Sequence, residues 1–252
     1  MMTATRIEAI PPITRAEARE LAAGEYTRLV DQFRTLSAQD WAKPTDCPLW
    51  DVRAVGGHNL GMMSDFTSFP TLIRRMRAAT KRAKATGEPF IDVMTAMQVA
   101  DNATLSTADL IAQAHQIGPK AARWRTGAPR LFRWMPMKQE FAGTTETWRM
   151  GYLLDTILTR DPWMHRVDIA RATGRDLVLT AGHDGRIVAD VVGEWARRHG
   201  KPFTLTLTGP AGGEFTAGED TGEQITSNPA EFCRTVSGRA AGHGLLTQQV
   251  PF

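Results

Sequence analysis

One of the six histidines, His165, stands in a setting that points to chemistry. Asp161 precedes it by four residues, so on a helix the carboxylate and the imidazole share a face about one turn apart. A carboxylate and an imidazole at that spacing can bind one cation together. A third ligand must come from another helix, and His58 is the natural candidate because it lies in a predicted helix beside its apolar stripe.

Two histidines and one carboxylate would leave at least one coordination position open. That arrangement is typical of a catalytic metal, whereas structural zinc sites are usually closed by four protein ligands. The spacing alone leaves other interpretations open. Asp161 and His165 also fit a surface pair, His58 fits a hydrogen-bonded core histidine, and Asp161 fits an N-cap of a helix that begins at Pro162.

The sequence contains no motif typical of several other kinds of catalytic site. The sequence contains no GxSxG nucleophile elbow, no P-loop, and no GxGxxG between a strand and a helix. The two cysteines, Cys47 and Cys233, form no CxxC pair, which excludes a zinc ribbon or a thioredoxin-type site. So few cysteines argue against a disulfide framework and favour a reducing compartment.

The composition is that of an ordinary globular protein, with 42% hydrophobic and 23% charged residues in 252. A formal net charge of +3 is too small to predict nucleic-acid binding. We interpret the densest basic run, residues 74–84, as a solvated helix face. No apolar run is long enough for a membrane span, and the N-terminus lacks the apolar region of a signal peptide.

Helical patterns dominate the first 175 residues or so. After a loose arm with Pro11 and Pro12, a capping box of Thr14 and Glu17 predicts a first helix over about 15–37. Asp51 is predicted to cap the helix that carries His58. A further helical region is predicted over 144–172, bent or restarted at Pro162.

The last 70 residues or so mix strands with helices. Alternation over 203–208 predicts a strand, and the glycines that follow favour a hairpin. Asn228 and Pro229 are predicted to begin a helix, and residues 245–246 are a candidate last strand. The predicted class is α+β in two domains. The predicted boundaries are a flexible arm over 1–13, a helical domain over 14–178 and a small sheet domain over 179–252.

Three stretches resemble the mycothiol-dependent maleylpyruvate isomerase family. Residues 47–58, CPLWDVRAVGGH, are similar to a DinB-like motif in which a tryptophan, here Trp50, precedes a helix with a metal-binding histidine. Residues 159–172 resemble the family's second metal motif, an acid followed four residues later by a histidine. Residues 205–209 and 233–239 resemble its sterol-carrier-protein-like C-terminal domain.

This resemblance implies a DinB-like four-helix bundle that holds a divalent metal, usually zinc, through His58, Asp161 and His165. It also implies that Asp168 supports the site and that Arg239 helps to bind the thiol or an acidic substrate. The family often has Glu at the position of Asp161, whose side chain is one methylene shorter.

The function that the resemblance implies is thiol chemistry at the metal, with mycothiol as cosubstrate and a small electrophile as substrate. An isomerase would release the thiol again, and an S-transferase would leave it attached. Two alternatives remain open: a metal-dependent hydrolase and a non-enzymatic carrier or binding module for apolar ligands. The family's distribution implies a cytoplasmic actinobacterial protein, and the sequence does not indicate an oligomeric state.

Overall fold

The computed structural model describes residues 4–218 and 222–252. The chain divides into two compact units. The helical unit comprises Ala22–Pro129 and Asp168–Arg175, and the sheet unit comprises Met1–Leu21, Arg130–Val167 and Asp176–Phe252. The predicted α+β class with a small sheet domain is therefore confirmed.

The helices occupy most of the chain. They are α1 Arg15–Arg34, α2 Val52–Asp65, α3 Phe69–Thr86, α4 Phe90–Asn102, α5 Thr107–Gly127, α6 Arg130–Trp134, α7 Met150–Tyr152, α8 Leu158–Thr173, α9 Asp184–His199 and α10 Pro229–Val236. A π-helical segment, Leu153–Ile157, lies between α7 and α8, and short 3-10 turns occupy Ile7–Ala9, Asp40–Ala42 and Gly244–Thr247.

Within the described part of the chain, the strands form two separate sheets. They are β1 Thr5–Arg6, β2 Pro136–Phe141, β3 Thr144–Arg149, β4 Phe203–Leu207, β5 Gly213–Ala217 and β6 Glu223–Ser227. The larger sheet has the order β1-β5-β4-β6, and β2 and β3 form a two-stranded hairpin. Within the described residues, no helix combines the length and hydropathy needed to cross a bilayer.

Close contact between α2 and α4 organises the helical unit. Gly61 on α2 lies so near to α4 that an added Cβ would stand 2.9 Å from the Cα of Gln98. One turn earlier, the carbonyl oxygen of Gly57 accepts a hydrogen bond from Asn102 Nδ2 at 2.9 Å. On another side of α2, Leu110 of α5 packs within 3.3 Å of the position where a Cβ on Gly56 would lie. Small residues on α2 therefore allow two neighbouring helices to approach it.

The sheet unit has its own apolar core around the central strand β4. The alternating side chains Phe203, Leu205 and Leu207 are buried, as the predicted strand pattern requires. The antiparallel register pairs Leu205 with Phe215 on β5. Trp195 of α9 packs edge-to-face on Phe203 with ring centroids 4.7 Å apart. The predicted strand and the hairpin after it are both present.

The N-terminal residues contribute to this core, where the sequence suggested a loose arm. Ile7, Ile10 and Ile13 are each at most 7% exposed. Residues 5–6 pair in parallel with β5. The backbone N–H of Ile13 donates to Asp190 Oδ1 on α9 at 2.9 Å. The prolines do prevent a regular α-helix, but the three isoleucines, spaced three residues apart, pack against the apolar core of the sheet unit.

The predicted helical region over 144–172 was wrong in its first part. Residues 144–149 form β3, which pairs antiparallel with β2 through a turn at Ala142 and Gly143. Both turn residues have positive φ, 48° and 77°, the combination that a tight two-residue hairpin requires. The candidate last strand at 245–246 is also wrong, because these residues lie in a 3-10 turn.

A buried ionic cluster joins α8, α9 and the C-terminal residues of the sheet unit. The guanidinium of Arg160 contacts Asp190 Oδ2 at 2.6 Å and Glu194 Oε2 at 2.8 Å. It also donates to the carbonyl oxygen of Pro251 at 3.1 Å. Burial opposes ionisation of Glu194, but Arg160 holds the pKa of that carboxyl below its usual range. The cluster thereby fixes the part of α8 next to Asp161.

Candidate metal centre

His58 occupies the second turn of α2, and the residues before this helix set its position. Asp51 caps α2 as predicted, since its Oδ1 accepts from the backbone N–H of Ala54 at 2.7 Å. The loop before it closes on itself, because the carbonyl oxygen of Trp50 accepts from both the N–H and the hydroxyl of Thr45. The Trp50 ring then lies on the His58 ring, with centroids 4.8 Å apart and planes tilted by 35°.

The His58 ring is buried, and its Nδ1 lies 2.8 Å from Oε1 of Gln98 on α4. The amide nitrogen of Gln98 donates to Asp65 Oδ2 at 2.8 Å. Asp65 Oδ1 in turn accepts from Nε of Arg75 at 2.8 Å. Burial raises the pKa of Asp65, and the hydrogen bonds from Gln98 and Arg75 oppose that rise. A chain of four side chains therefore runs from α3 to the imidazole.

Nothing in the sequence predicted this series of hydrogen-bonded side chains, and the prediction for one of its members was wrong. Arg75 belongs to the basic run interpreted as a solvated face, but its side chain is only 14% exposed and points to Asp65 and Asp101. A signal for Asp65 was available, because it follows His58 by seven residues and so shares its face of α2. Gln98 carried no such signal, since nothing local marks a glutamine that will face another helix.

Asp161 and His165 lie one turn apart on α8, as predicted. Asp161 Oδ1 is 3.4 Å from His165 Nε2, and the His165 side chain is 3% exposed. The helix begins at Leu158 and continues through Pro162. Asp161 is therefore inside the helix and is not an N-cap, which removes one of the alternatives. Its carboxylate is directed along the helix surface toward the imidazole.

Asp168 follows His165 by three residues on α8 and is completely buried. In the helical unit, the Cys47 thiol lies 3.7 Å from Asp168 Oδ2, a weak hydrogen bond in which the sulfur donates. Cys47 itself is half-buried. The second cysteine, Cys233, is enclosed in the sheet unit, and burial raises the pKa of its thiol. The predicted supporting acid is thus held inside the protein next to a thiol.

Arg239 follows α10 in the sheet unit. Its backbone N–H donates to the carbonyl oxygen of Arg234 at 2.9 Å. The half-buried residue lines an open cavity of about 410 Å³ together with Thr235, Leu246 and Gln249. The structure thus places the cationic residue Arg239 beside a cavity large enough for a small ligand.

Comparison with known proteins gives one family and two structures of similar fold. The sequence profile of the mycothiol maleylpyruvate isomerase N-terminal domain matches residues 22–170. A crystal structure of the mycothiol-dependent maleylpyruvate isomerase is 17% identical, with a TM-score of 0.53. A structure of a mutant of that isomerase is 16% identical, with a TM-score of 0.52. Each comparison covers 95% of this chain and 93% of the other. No curated protein matches the sequence.

Proposed function

The chain belongs to the mycothiol maleylpyruvate isomerase family, and we propose from this premise that it is a metal- and mycothiol-dependent enzyme. Membership confirms the resemblance predicted from residues 47–58 and 159–172 and assigns the chain to a family of enzymes. The proposal adds a divalent cation, which we take to be zinc, held by His58, Asp161 and His165. The observation that carries it is the profile match, which includes all three of these positions.

The chemistry of these side chains fits such an ion. Imidazole nitrogen and carboxylate oxygen are common zinc ligands, and three protein ligands leave a position for a further group. Ligating histidines usually donate their second ring N–H to an acceptor, and His58 has such a partner in Gln98. Asp161 and His165 already direct their polar atoms to one place on α8.

A bound divalent cation would supply one thing to the reaction: it would lower the pKa of a coordinating thiol and so favour the nucleophilic thiolate. The protein's own residues do the rest. Trp50 packs on the His58 ring and restricts its tilt. Arg160, held by two carboxylates, keeps the first turn of α8 in place beneath Asp161. Arg239 would attract the carboxylate of a small acidic substrate or of the thiol.

For the reaction we propose cis–trans isomerisation of an activated double bond. The thiolate sulfur adds to one alkene carbon, the electron pair of the double bond moves to the electron-withdrawing group, and the former double bond rotates. The enolate electron pair then re-forms the double bond as the carbon–sulfur bond breaks, and the sulfur leaves with its bonding electrons, so the thiolate is regenerated. S-transfer would share the addition step and retain the carbon–sulfur bond. We place this chemistry in an actinobacterial cytoplasm, where mycothiol occurs.

Metal content and thiol binding test the proposal. The native protein should contain one equivalent of metal after reconstitution with zinc, and His58→Ala and His165→Ala should lose it. His115→Ala is the matched control, because His115 is exposed on α5. Mycothiol titrated into each protein in a calorimeter should bind only where the metal is retained.

Two results would count against the proposal. A native protein without metal after reconstitution removes the ligand assignment. Turnover of a maleylpyruvate-type substrate without any thiol indicates that activated water is the nucleophile, and the enzyme would then be a hydrolase.

A further inference from the structure

We infer that Gln98 is a positioning residue, oriented by Asp65 and Arg75, that keeps the His58 proton on Nδ1 and thereby presents Nε2 as the ligand nitrogen. The purpose of this arrangement, ligation of a metal by Nε2, rests on the proposed function. The position of the proton, in contrast, is a property of the metal-free protein. It can therefore be tested separately.

The direction of each hydrogen bond follows from the groups at the end of the chain. Arg75 has only donors, and its Nε lies 2.8 Å from Asp65 Oδ1, so the two groups form an ion pair in which the ionised carboxylate has only acceptors. Asp65 therefore accepts from Arg75 at Oδ1 and can only accept again at Oδ2. The group of Gln98 that faces Oδ2 must be its NH₂, which turns its oxygen to His58. A carbonyl oxygen can only accept, so Nδ1 of His58 must carry the proton.

Burial makes the opposite arrangement costly. Asp65, Gln98 and His58 are at most 5% exposed, so bulk water does not compensate for a mismatched pair. If the Gln98 amide were flipped, its oxygen would face Asp65 Oδ2 at 2.8 Å, acceptor against acceptor. A buried group left without its hydrogen bond costs about 1–3 kcal/mol. The carboxylate thus determines the imidazole tautomer through one intervening amide.

The packing of α2 on α4 holds the amide at the required distance. Gly61 is one turn beyond His58 on α2, and an added Cβ there would lie 2.5 Å from the Cβ of Gln98. The absence of a side chain at this position allows the Gln98 backbone to approach α2. Asn102, one turn further along α4, bonds to the α2 backbone and fixes the register.

Asp65→Asn is the most informative variant, because it keeps the size of the side chain and changes one acceptor into a donor. Arg75 would retain the asparagine oxygen, so the asparagine NH₂ would face Gln98. Gln98 would then turn its oxygen to residue 65 and its NH₂ to His58. Nδ1 becomes an acceptor, and the proton moves to Nε2. A purely structural role for Asp65 predicts no such inversion.

The measurement is a long-range ¹H–¹⁵N correlation spectrum of metal-free protein labelled with ¹⁵N-histidine, with His58 assigned by its loss in His58→Ala. The native ring should be protonated on Nδ1, and Asp65→Asn should show the proton on Nε2. Gln98→Leu removes the acceptor and should also move the proton from Nδ1. Gln116→Leu, the same replacement at an exposed position of α5, should leave the spectrum unchanged.

Zinc affinity, measured by competition with a chromophoric chelator, tests the purpose of the arrangement. Asp65→Asn and Gln98→Leu should each weaken zinc binding about 10–100-fold, the usual loss for a partner of a metal ligand, and Gln116→Leu should not. Circular dichroism establishes that each variant is folded.

The inference is overturned if native His58 carries its proton on Nε2, or if Asp65→Asn and Gln98→Leu leave the tautomer unchanged. If both variants change the tautomer and still bind zinc as tightly as the native protein, the statement that the tautomer serves zinc binding is overturned. Failure of the native protein to bind zinc would overturn the proposed function, and the spectra would still decide where the proton lies.

Discussion

Replacement of Gly61 by alanine tests the close approach of α2 and α4. The added methyl group would lie 2.5 Å from the Cβ and 2.9 Å from the Cα of Gln98. One of these atoms belongs to the backbone, so a change of side-chain rotamer cannot relieve the overlap. Forcing extra volume into a packed interior costs about 1–3 kcal/mol. Alanine also gains roughly 0.5–1 kcal/mol over glycine inside a helix. The expected net loss is roughly 0–2.5 kcal/mol, with a midpoint of about 1 kcal/mol.

Gly57→Ala provides the matched control on the same helix. A Cβ at this position meets its nearest atoms, in Asn102 and Val99, at 3.5 Å, which is ordinary van der Waals contact. This variant should therefore show only the helical gain, roughly 0.5–1 kcal/mol of added stability. The helical gain is common to both variants, so they should differ by the cost of the overlap alone, about 1–3 kcal/mol, although both make the same chemical change four residues apart.

Thermal and urea unfolding of the metal-free protein, followed by circular dichroism, supply the assay. At about 2–4 °C per kcal/mol for chains of this size, the midpoints of the two variants should be separated by roughly 2–12 °C. If Gly61→Ala is instead at least as stable as Gly57→Ala, the two helices have room for the added methyl group that the structure does not show.

Three further predictions concern charge and thiol chemistry. Arg160→Met should destabilise the protein by about 3–5 kcal/mol in urea unfolding, because it leaves the buried carboxylate of Asp190 without its cation. The pKa of Glu17 is lowered from 4.5 to about 2 by its arginine partner, so this carboxylate stabilises the folded state above pH 4.5 and loses that effect as the pH falls toward 2. The urea midpoint should consequently fall less between about pH 6 and pH 3 in Glu17→Gln than in the native protein. Iodoacetamide should modify half-buried Cys47 in the native protein and reach Cys233 only after denaturation, and peptide mass spectrometry distinguishes the two sites. Equal labelling of both thiols in the native protein would contradict the burial of Cys233.

The elements that sequence alone predicted are those with local causes. The capping box of Thr14 and Glu17 forms in full, with the N–H of Thr14 donating to Glu17 Oε2 at 2.9 Å. Alternation over 203–207 appears as β4, and the spacing of Asp161 and His165 places both on one turn. In each case the residues that decide the structure are neighbours in the chain.

The parts that failed depend on distant partners or on unusual turns. The hairpin of β2 and β3 turns at Ala142 and Gly143, and the alanine gives no sign that it will adopt positive φ. The N-terminal isoleucines are buried by strands and helices nearly 200 residues later. Arg75 is indistinguishable in sequence from its exposed basic neighbours, and only the fold brings it to Asp65. The metal ligands themselves stay a prediction for the experiments above.

The π-helical segment Leu153–Ile157 amounts to one extra residue in the path that leads to α8. Each residue of a regular α-helix turns the chain by about 100°. Deletion of one residue from this segment would let an unbroken α-helix form, and it would rotate the face with Asp161 and His165 by more than a quarter turn relative to β3. The number of residues in this segment thus sets the direction in which these side chains point. A single deletion there would misdirect them and leave every residue of the motifs at 47–58 and 159–172 intact.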